Sequence, residues 1–270
     1  MLSYAITGAS RGLGLEFAVA LLDAGHTVIA IVRNKKSVSK RLTSIIEAQK
    51  YANLHVLEAD LEDQSSLERA ATETALITGG TLDVLINNAA YQELQDWFMG
   101  FTDFANDEIL VQKMNKSFST NVLGLILTTN AFLPLLRKGT AKKVMSLCSV
   151  LAMSDVTYET KFTDHAVYSV TKSMLDMVNV KFALALKEEG FTFLGISPGV
   201  VWTAEEKPTP EIIAHVEERA GSYKILYPEW EGPFGLTAAK SVAMMLKVLD
   251  SLGPEDSGKV LSHFGNKKWL

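Results

Sequence analysis

An eight-residue stretch with three glycines constrains the fold of this chain more than any other feature. Residues 7–14 read Thr-Gly-Ala-Ser-Arg-Gly-Leu-Gly, between an apolar run over residues 2–7 and apolar residues that recur at helical spacing. In such a strand–loop–helix unit, Gly8 permits a tight turn, Gly12 lets the backbone approach a ligand, and Gly14 lets the helix pack close to the sheet. The amides at the helix start then face a pyrophosphate. The stretch predicts a dinucleotide-binding site.

Apolar, strand-like runs alternate with helical stretches along the chain. The runs cover residues 2–7, 27–32, 54–59, 82–87, 143–149, 191–197 and 259–262. Their apolar continuity is typical of strands covered on both faces, and the intervening lengths suit right-handed helical crossovers. We therefore predict an α/β fold with one doubly wound, parallel sheet of about seven strands. A chain of 270 residues suits one such domain better than two.

Composition and charge restrict the partners. Hydrophobic residues make up 47% of the chain and charged residues 21%, which predicts a substantial core. The net charge of −5 and the lack of a concentrated basic face argue against nucleic acid or an anionic membrane as the main partner. The first strand begins at residue 2, which leaves no room for a leader, and no apolar run approaches the roughly 20 residues that span a bilayer. We expect a soluble, cytoplasmic protein.

Neither a disulfide nor a metal site is expected. The chain contains one cysteine, Cys148, and five scattered histidines that form no recognisable ligand pair in the sequence. We therefore interpret the histidines as surface or packed residues. No paired base is visible for Cys148, which favours a small buried hydrophobic residue over a catalytic thiol.

The glycine spacing departs from the G-x-G-x-x-G fingerprint, and alone it is also compatible with a turn that only connects two elements. The pattern Thr-Gly-x-x-x-Gly-x-Gly resembles the glycine motif of the classical short-chain dehydrogenase/reductase family. Further motifs follow in that family's order: Asn-Asn-Ala at 87–89, Asn121, Ser149, and Tyr-x-x-x-Lys at 168–172. Together they cover most of residues 5–203. The resemblance implies a Rossmann-like fold, a nicotinamide cofactor and oxidoreductase activity.

Tyr168 and Lys172 carry the chemistry that the resemblance implies. They are four residues apart, so on a helix both side chains project from one face. The ammonium, together with an oxidised nicotinamide, is expected to lower the pKa of the phenol and make it a usable proton donor and acceptor. Ser149, at the end of the fifth strand, is expected to hold the substrate oxygen. Ser146 and Ser154 are weaker candidates for that role.

The resemblance also implies the residues that support and bind the cofactor. Asn121 is expected to support a kinked helix and, through water, the catalytic lysine. The expected cofactor contacts are Gly8, Ser10, Arg11, Gly12, Leu13, Gly14, Arg33, Asp60, Leu61, Asn88, Ala89, Ala90, Tyr168, Lys172, Pro198, Gly199, Val201 and Thr203. Ala90 stands where the family usually has glycine, which puts the backbone conformation there in doubt.

The residues after the second strand distinguish NAD from NADP. Folds that select NAD usually carry an acidic residue near this point, about 20 residues past the glycines. Val32 occupies that position and Arg33 follows it. Arg33 and Arg11 are therefore expected to bind the 2′-phosphate of NADP(H), because guanidinium groups bind phosphate in a bidentate manner. The alternative is that both are solvated basic residues at the ends of elements.

Three segments depart from the family pattern or vary within it. Residues 92–113 form a long connection in which four aromatic residues predict a substrate mouth, a local satellite core or an oligomer contact. These are Trp97, Phe98, Phe101 and Phe104. Residues 154–165 are an insertion that is expected to extend one wall of the site. Residues 204–233 resemble the variable substrate lid of the family.

We therefore predict NADPH-dependent reduction of a ketone or aldehyde to an alcohol, with Tyr168 as the proton donor. The aromatic residues favour an apolar or ring-containing substrate. Two alternatives stay open: an alcohol dehydrogenase that works in the oxidative direction, and a cofactor-binding protein of the same fold with a non-redox or regulatory role. The family habit predicts a homodimer or homotetramer.

Overall fold

A seven-stranded parallel sheet forms the centre of the fold in the residues that the computed structural model describes, which are 1–203, 207–232 and 235–270. Its strands are β1 (Ser3–Thr7), β2 (Thr27–Val32), β3 (Leu54–Glu58), β4 (Val84–Asn87), β5 (Lys143–Leu147), β6 (Thr192–Ser197) and β7 (Val260–Ser262). The predicted doubly wound, single-domain fold is confirmed. Six of the strands are one or two residues shorter than the apolar runs, four of them at the start and β3 and β5 at the end, because apolar residues continue beyond the ladder hydrogen bonds.

The strand order places a crevice beside the first strand. Across the sheet the order is β3-β2-β1-β4-β5-β6-β7, and β1 pairs with both β2 and β4. The chain therefore adds β2 and β3 on one side of β1 and then β4 to β7 on the other side. At such a switch point the connections leave in opposite directions and open a crevice at the carboxyl ends of the strands. The loops after β1 and β4 border this crevice.

Helices cover both faces of the sheet. In the described residues they are α1 (Gly12–Asp23), α2 (Lys40–Glu47), α3 (Gln64–Thr78), α4 (Asp107–Phe118), α5 (Gly124–Leu136), α6 (Ser154–Thr160), α7 (Ala166–Ala185), α8 (Pro210–Lys224) and α9 (Ala238–Ser251). α1 and α9 bury Phe17 and Met245 in one core layer. α3 and α5 bury Leu67 and Phe132 in the layer on the other face. The apolar strands therefore lie between two covered faces, as predicted.

One helical segment, Asp107–Leu136, joins α4 to α5 through a π turn at Ser119–Leu123. In the described residues it is the one helix that is long and apolar enough to cross a membrane, by length and composition alone. The expectation that no apolar stretch approaches that length is wrong for this segment. Half of its apolar stretch is buried inside the fold. There α5 packs against α3 and β4, and a core helix meets the same criterion as a membrane span.

Candidate active site

The glycine loop joins β1 to α1 in a backbone conformation that glycine adopts readily. Gly8 and Gly12 have φ angles of +67° and +57°, in the left-handed region. A Cβ on Gly14 would lie 2.3 Å from the Gly8 carbonyl oxygen, so α1 packs this close because the residue is glycine. Leu13 is buried in the core. Arg11 is the N-cap of α1 and makes no side-chain capping bond, so the first amides of the helix can bind an anion.

The loop after β4 holds the glycine loop in place. Thr7 Oγ1 accepts hydrogen bonds from the backbone N–H groups of Asn88 and Ala89, both at 3.1 Å. In return, Asn88 Nδ2 donates to the Thr7 carbonyl at 2.9 Å. These residues therefore connect the two loops across the switch point. Ala90 is exposed and has no positive φ, so the backbone here does not require glycine.

The loop after β6 lies against the start of α1. Pro198 and Gly199 follow β6 directly, and Gly199 has a φ of +78°. Val201 packs against the core, whereas Thr203 is exposed. A Cβ on Gly12 would lie 3.1 Å from the Thr203 Cβ. The predicted contacts from the first and sixth strands are therefore adjacent in space.

Arg11 and Arg33 are both exposed, at the start of α1 and directly after β2. Arg33 acts electrostatically on Glu62, in the loop after β3. Burial raises the pKa of Glu62, but hydrogen bonds from Lys116 and Thr120 and the charges of Lys116 and Arg33 lower it, and the net shift is downward. Arg33 therefore lies close enough to an anion to stabilise it.

Ser10, Asp60 and Leu61 complete the same side of the crevice. Ser10 Oγ accepts a hydrogen bond of 3.3 Å from the Ser39 N–H, which attaches the glycine loop to the loop after β2. Asp60 and Leu61 follow β3 closely. A Cβ on Gly124, at the start of α5, would lie 2.7 Å from the Leu61 Cβ, so the glycine lets that helix approach the loop.

The α7 helix places Lys172 and Tyr168 at the carboxyl end of β5. Lys172 is buried, and its Nζ donates a hydrogen bond of 2.6 Å to the Leu147 carbonyl. The same Nζ lies 5.5 Å from the centroid of the Tyr168 ring. Both side chains therefore share one face of α7, as the four-residue spacing predicts.

Ser149 lies in the turn that follows β5. It is partly buried, and its Oγ accepts a hydrogen bond of 3.2 Å from the Leu151 N–H. The neighbouring Ala152 carbonyl accepts a bond of 2.9 Å from Ser173 on α7. Leu147 and Ala152, on either side of Ser149, therefore both accept a hydrogen bond from α7. The alternatives are placed less well, because Ser146 is buried inside β5 and Ser154 is exposed at the start of α6.

Asn121 occupies the middle of the π turn and is buried. Its Oδ1 accepts a hydrogen bond of 2.6 Å from the Tyr91 N–H, and its Nδ2 donates to the Tyr91 carbonyl at 3.0 Å. Nδ2 also lies 3.2 Å from Thr171 Oγ1. The helix is irregular here, as expected, and the direct contact on α7 is with Thr171, the residue before Lys172.

Aromatic side chains from the three variable segments meet beside Tyr168. Trp97, from residues 92–113, lies 5.9 Å from Trp202 and 5.7 Å from His165, measured between ring centroids. His165, from the 154–165 insertion, lies 6.5 Å from Tyr168. Phe162 lies 5.3 Å from Tyr223 on α8. Since His165 also lies 5.8 Å from Phe162, these rings and the Tyr168 ring form one connected aromatic cluster.

Comparison with known proteins identifies the family. The family model for short chain dehydrogenases matches residues 4–212. The short chain dehydrogenase virK of Hypocrea virens is 35% identical over 273 residues, and the short-chain dehydrogenase/reductase atnB of Arthrinium sp is 36% identical over 275 residues. Both matches cover 100% of this chain and of the relative. The chain belongs to the short-chain dehydrogenase family.

Solved structures share its fold. The NADPH-bound carbonyl reductase from chicken fatty liver has a TM-score of 0.77 at 24% identity, over 98% of this chain and 97% of that one. The carbonyl reductase Sniffer of D. melanogaster has a TM-score of 0.76 at 21% identity, over 98% of both chains. As a short-chain dehydrogenase, the protein is an oxidoreductase of carbonyl and alcohol groups that acts on small molecules with a nicotinamide cofactor.

The pKa of the short-chain dehydrogenase's Tyr168 differs from the sequence-based expectation. Burial, together with the Cys148 thiol, raises the pKa of the phenol instead of lowering it. Burial lowers the pKa of Lys172 to about 8, against a smaller opposing effect of Cys148. The expectation of a lowered phenol pKa is therefore wrong for the protein by itself. Removal from water disfavours both charged forms more than the nearby ammonium favours the phenolate.

The predicted lid is described only in part. Residues 204–206 and 233 of the range 204–233 lie outside the described residues. The described part contains α8, where Arg219 Nε lies 2.8 Å from the buried Asp164 carboxylate. Tyr223 of α8 also belongs to the same buried cluster as Val150, the residue after Ser149. The ion pair attaches α8 to the 154–165 insertion.

Gln92, His165 and His263 belong to the site region, and the sequence analysis did not single them out. Gln92 Nε2 lies 2.6 Å from His165 Nδ1. His263 is buried, and a Cβ on Gly199 would lie 2.8 Å from its Cε1. Both histidines are packed, as expected: His263 is buried, and the His165 ring lies 5.7 Å from the Trp97 ring. The sequence analysis did not connect His165 with the site. Its position three residues before Tyr168 was the available signal.

The described residues contain no group of three or more His, Cys, Asp or Glu side chains that is suited to a metal ion. Cys148 is buried beside Asp176, and burial is the main reason that its pKa is raised. A thiol in this state is a poor nucleophile.

Proposed function

We propose that this protein reduces a ketone or aldehyde to an alcohol with NADPH, and that Tyr168 is the proton donor. The observation that carries the proposal is the geometry on α7. Lys172 Nζ lies 5.5 Å from the Tyr168 ring and donates to the Leu147 carbonyl, two residues before Ser149. A proton donor, a cation and a hydroxyl thus converge where the β5 strand ends. Such a set suits charge development on a carbonyl oxygen.

Each side chain has a distinct task. The raised pKa keeps Tyr168 protonated at neutral pH, so that it can donate its proton to the substrate oxygen. Ser149 Oγ accepts from the Leu151 N–H, which leaves its own hydrogen for a bond to the same oxygen. Lys172, anchored on the Leu147 carbonyl, stabilises negative charge beside the phenol.

The glycine loop fits a dinucleotide. Positive φ angles at Gly8 and Gly12 and the lack of a side-chain cap at Arg11 leave the start of α1 open to a pyrophosphate. Thr203, Asn88 and Asp60 border the same crevice and are proposed to contact other parts of the cofactor. When bound, NADPH supplies the hydride. We propose NADPH over NADH because exposed Arg33 and Arg11 are the cations expected at the 2′-phosphate.

We propose an apolar, ring-containing substrate. Trp97, Trp202 and His165 form a series of ring contacts that ends 6.5 Å from the Tyr168 ring. Aromatic side chains at these separations favour flat apolar groups over small charged keto acids. The α8 region is proposed to act as the lid over this mouth. A cytoplasmic location, the absence of a membrane partner and assembly into a homodimer or homotetramer stay predictions.

The decisive experiment is NADPH consumption by the protein and by Tyr168→Phe over a panel of aldehydes, aryl ketones and keto acids. We expect aryl ketones to be the best substrates. The substitution is expected to lower kcat by about 10²- to 10⁴-fold, because a general acid is removed. NADPH affinity is expected to stay within a few fold, since the phenyl ring remains.

The matched control is Tyr158→Phe, which removes a phenol from the exposed surface of α6. It is expected to leave turnover unchanged. Retained activity in Tyr168→Phe would refute the assignment of the proton donor. A preference for small keto acids would refute the proposed substrate class.

A further inference from the structure

Residues 91–99 are attached to the catalytic helix on both sides of Tyr168. On one side, Asn121 bonds both the N–H and the carbonyl of Tyr91 and lies within 3.2 Å of Thr171 Oγ1. On the other side, Gln92 Nε2 lies 2.6 Å from His165 Nδ1. Tyr168 lies between these two points of attachment along α7.

The same segment supplies hydrogen-bond acceptors to the start of α7. The His165 N–H donates to the Trp97 carbonyl and the Ala166 N–H to the Met99 carbonyl, both at 3.2 Å. The first N–H groups of a helix have no partners inside the helix. Here the N-cap His165 makes no side-chain capping bond. The carbonyls of Trp97 and Met99 accept the hydrogen bonds at the start of the helix instead.

The His165 backbone is in a conformation that depends on these contacts. Its φ and ψ are 55° and 29°, in the left-handed region that residues other than glycine rarely adopt. Such a conformation persists when the surroundings hold it. The ring lies 5.7 Å from Trp97 and 5.8 Å from Phe162. The Gln92 contact adds a directional bond at the Nδ1 edge.

Charge also holds the segment. Lys113 on α4 forms an ion pair of 3.2 Å with the buried Asp96, and it pairs with Glu93 as well. The segment is therefore fixed to α4 at residues 93 and 96. Because Gln92 belongs to this fixed segment, its contact with His165 restrains the start of α7.

We propose that Gln92 and His165 form a positioning pair that fixes the first turn of α7 and thereby the phenol of Tyr168. With the amide as assigned, Gln92 donates to Nδ1, which sets the His165 tautomer with its proton on Nε2. The catalytic part of this role rests on the proposed function. A displacement of about 1 Å at a reacting group is enough to cost about 100-fold in rate.

The test compares Gln92→Leu with Gln95→Leu, a matched control in the same segment with an exposed side chain. Gln92→Leu is expected to lower kcat by about 10- to 100-fold while the KM for NADPH and for the ketone changes little. Gln95→Leu is expected to retain the unaltered kcat. Equal effects of the two variants, or a change in KM alone, would overturn the proposal.

Two substitutions at His165 separate the side chain from the backbone. Asparagine and glycine both adopt the left-handed conformation, but only asparagine places an acceptor near the position of Nδ1. His165→Asn is therefore expected to rescue the kcat that His165→Gly loses. If both variants lose the same activity, the Gln92 bond does not position Tyr168.

Hydrogen exchange provides a readout that does not need turnover. Gln92→Leu is expected to speed exchange at the amides of residues 165–168, and Gln95→Leu is not. If the unaltered protein reduces no ketone, the proposed function fails, and the exchange still shows whether the pair holds α7. Unchanged exchange in Gln92→Leu overturns the pair itself.

Discussion

Burial acts on the Tyr168 phenol and the Lys172 ammonium in opposite directions. It raises the pKa of the phenol and lowers the pKa of the ammonium to about 8, and both shifts favour the neutral form. Near neutral pH the phenol therefore retains the proton that carbonyl reduction needs. In most molecules the Lys172 side chain is still charged at this pH, because its pKa lies above 7. Burial therefore keeps the phenol protonated, whereas Lys172 stays charged because burial lowers its pKa only to about 8.

At the residue scale, Arg33 provides the sharpest test of cofactor choice. Arg33→Ala is expected to weaken NADPH binding by about 10- to 100-fold, because a charge-assisted bond to phosphate contributes roughly 1.5 to 3 kcal/mol. NADH binding is expected to change little, since NADH lacks the 2′-phosphate. Fluorescence titration with both cofactors measures the effect.

The control for this prediction is Arg69→Ala, which removes an exposed arginine that pairs with Asp63 on the surface. It is expected to affect neither cofactor. Equal weakening of NADPH and NADH by Arg33→Ala would show that Arg33 is a solvated charge at the strand end.

At the element scale, the π turn between α4 and α5 has an identifiable cause. Asn121 lies in the turn and bonds both the N–H and the carbonyl of Tyr91, in the loop after β4. A π turn commonly marks a functional site, because the extra residue redirects a side chain. Here it directs the amide toward the loop after β4 and toward α7.

Asn121→Ala is expected to lower the free energy of unfolding by about 2 to 4 kcal/mol. The substitution leaves the N–H and the carbonyl of Tyr91 without their side-chain partner, and each unsatisfied buried group costs roughly 1 to 3 kcal/mol. Urea unfolding measures the loss. Thr120→Ala, one residue away on the more exposed side of the turn, is the control and is expected to cost less. Equal losses would contradict the assigned role.

At the scale of the whole molecule, stability depends on pH through Lys172. Its pKa is about 8 in the folded protein, against 10.5 for an unperturbed lysine. Between these values the unfolded chain binds more protons than the folded one, so the contribution of this group to stability rises with pH. Below about pH 8 both states are protonated and the contribution is constant. The slope is at most about 1.4 kcal/mol per pH unit.

The measurement is urea unfolding of the unaltered protein and of Lys172→Met at about pH 7.5 and 9.5, on either side of the folded-state pKa. The unfolding free energy of the unaltered protein minus that of the variant is expected to increase with pH. Other titrating groups occur in both proteins, so the subtraction removes most of their effect. A difference that is constant or falls with pH contradicts the lowered pKa of Lys172.

The sequence by itself determined the sheet, the glycine loop and the spacing of Tyr168 and Lys172. These features depend on short-range patterns: strands read as continuous apolar runs, glycines mark positions of positive φ, and a four-residue spacing shares a helix face. The strand bounds were less accurate, because apolar character reports burial and not the ladder hydrogen bonds that define a strand. Four strands begin after their apolar run does, and β3 and β5 end before it does. Ser149, for example, belongs to the turn after β5 and not to the strand.

Only the tertiary structure decided the sign of the Tyr168 pKa shift and the contacts around it. Desolvation depends on neighbours from many segments, and no local pattern reports them. The Gln92–His165 bond joins residues 73 positions apart, and the Trp97–Trp202 contact joins the 92–113 connection to the loop after β6. Sequence periodicity carries no information on such pairings. The candidate catalytic residues were therefore readable from the chain, and the surroundings that set their protonation and position were not.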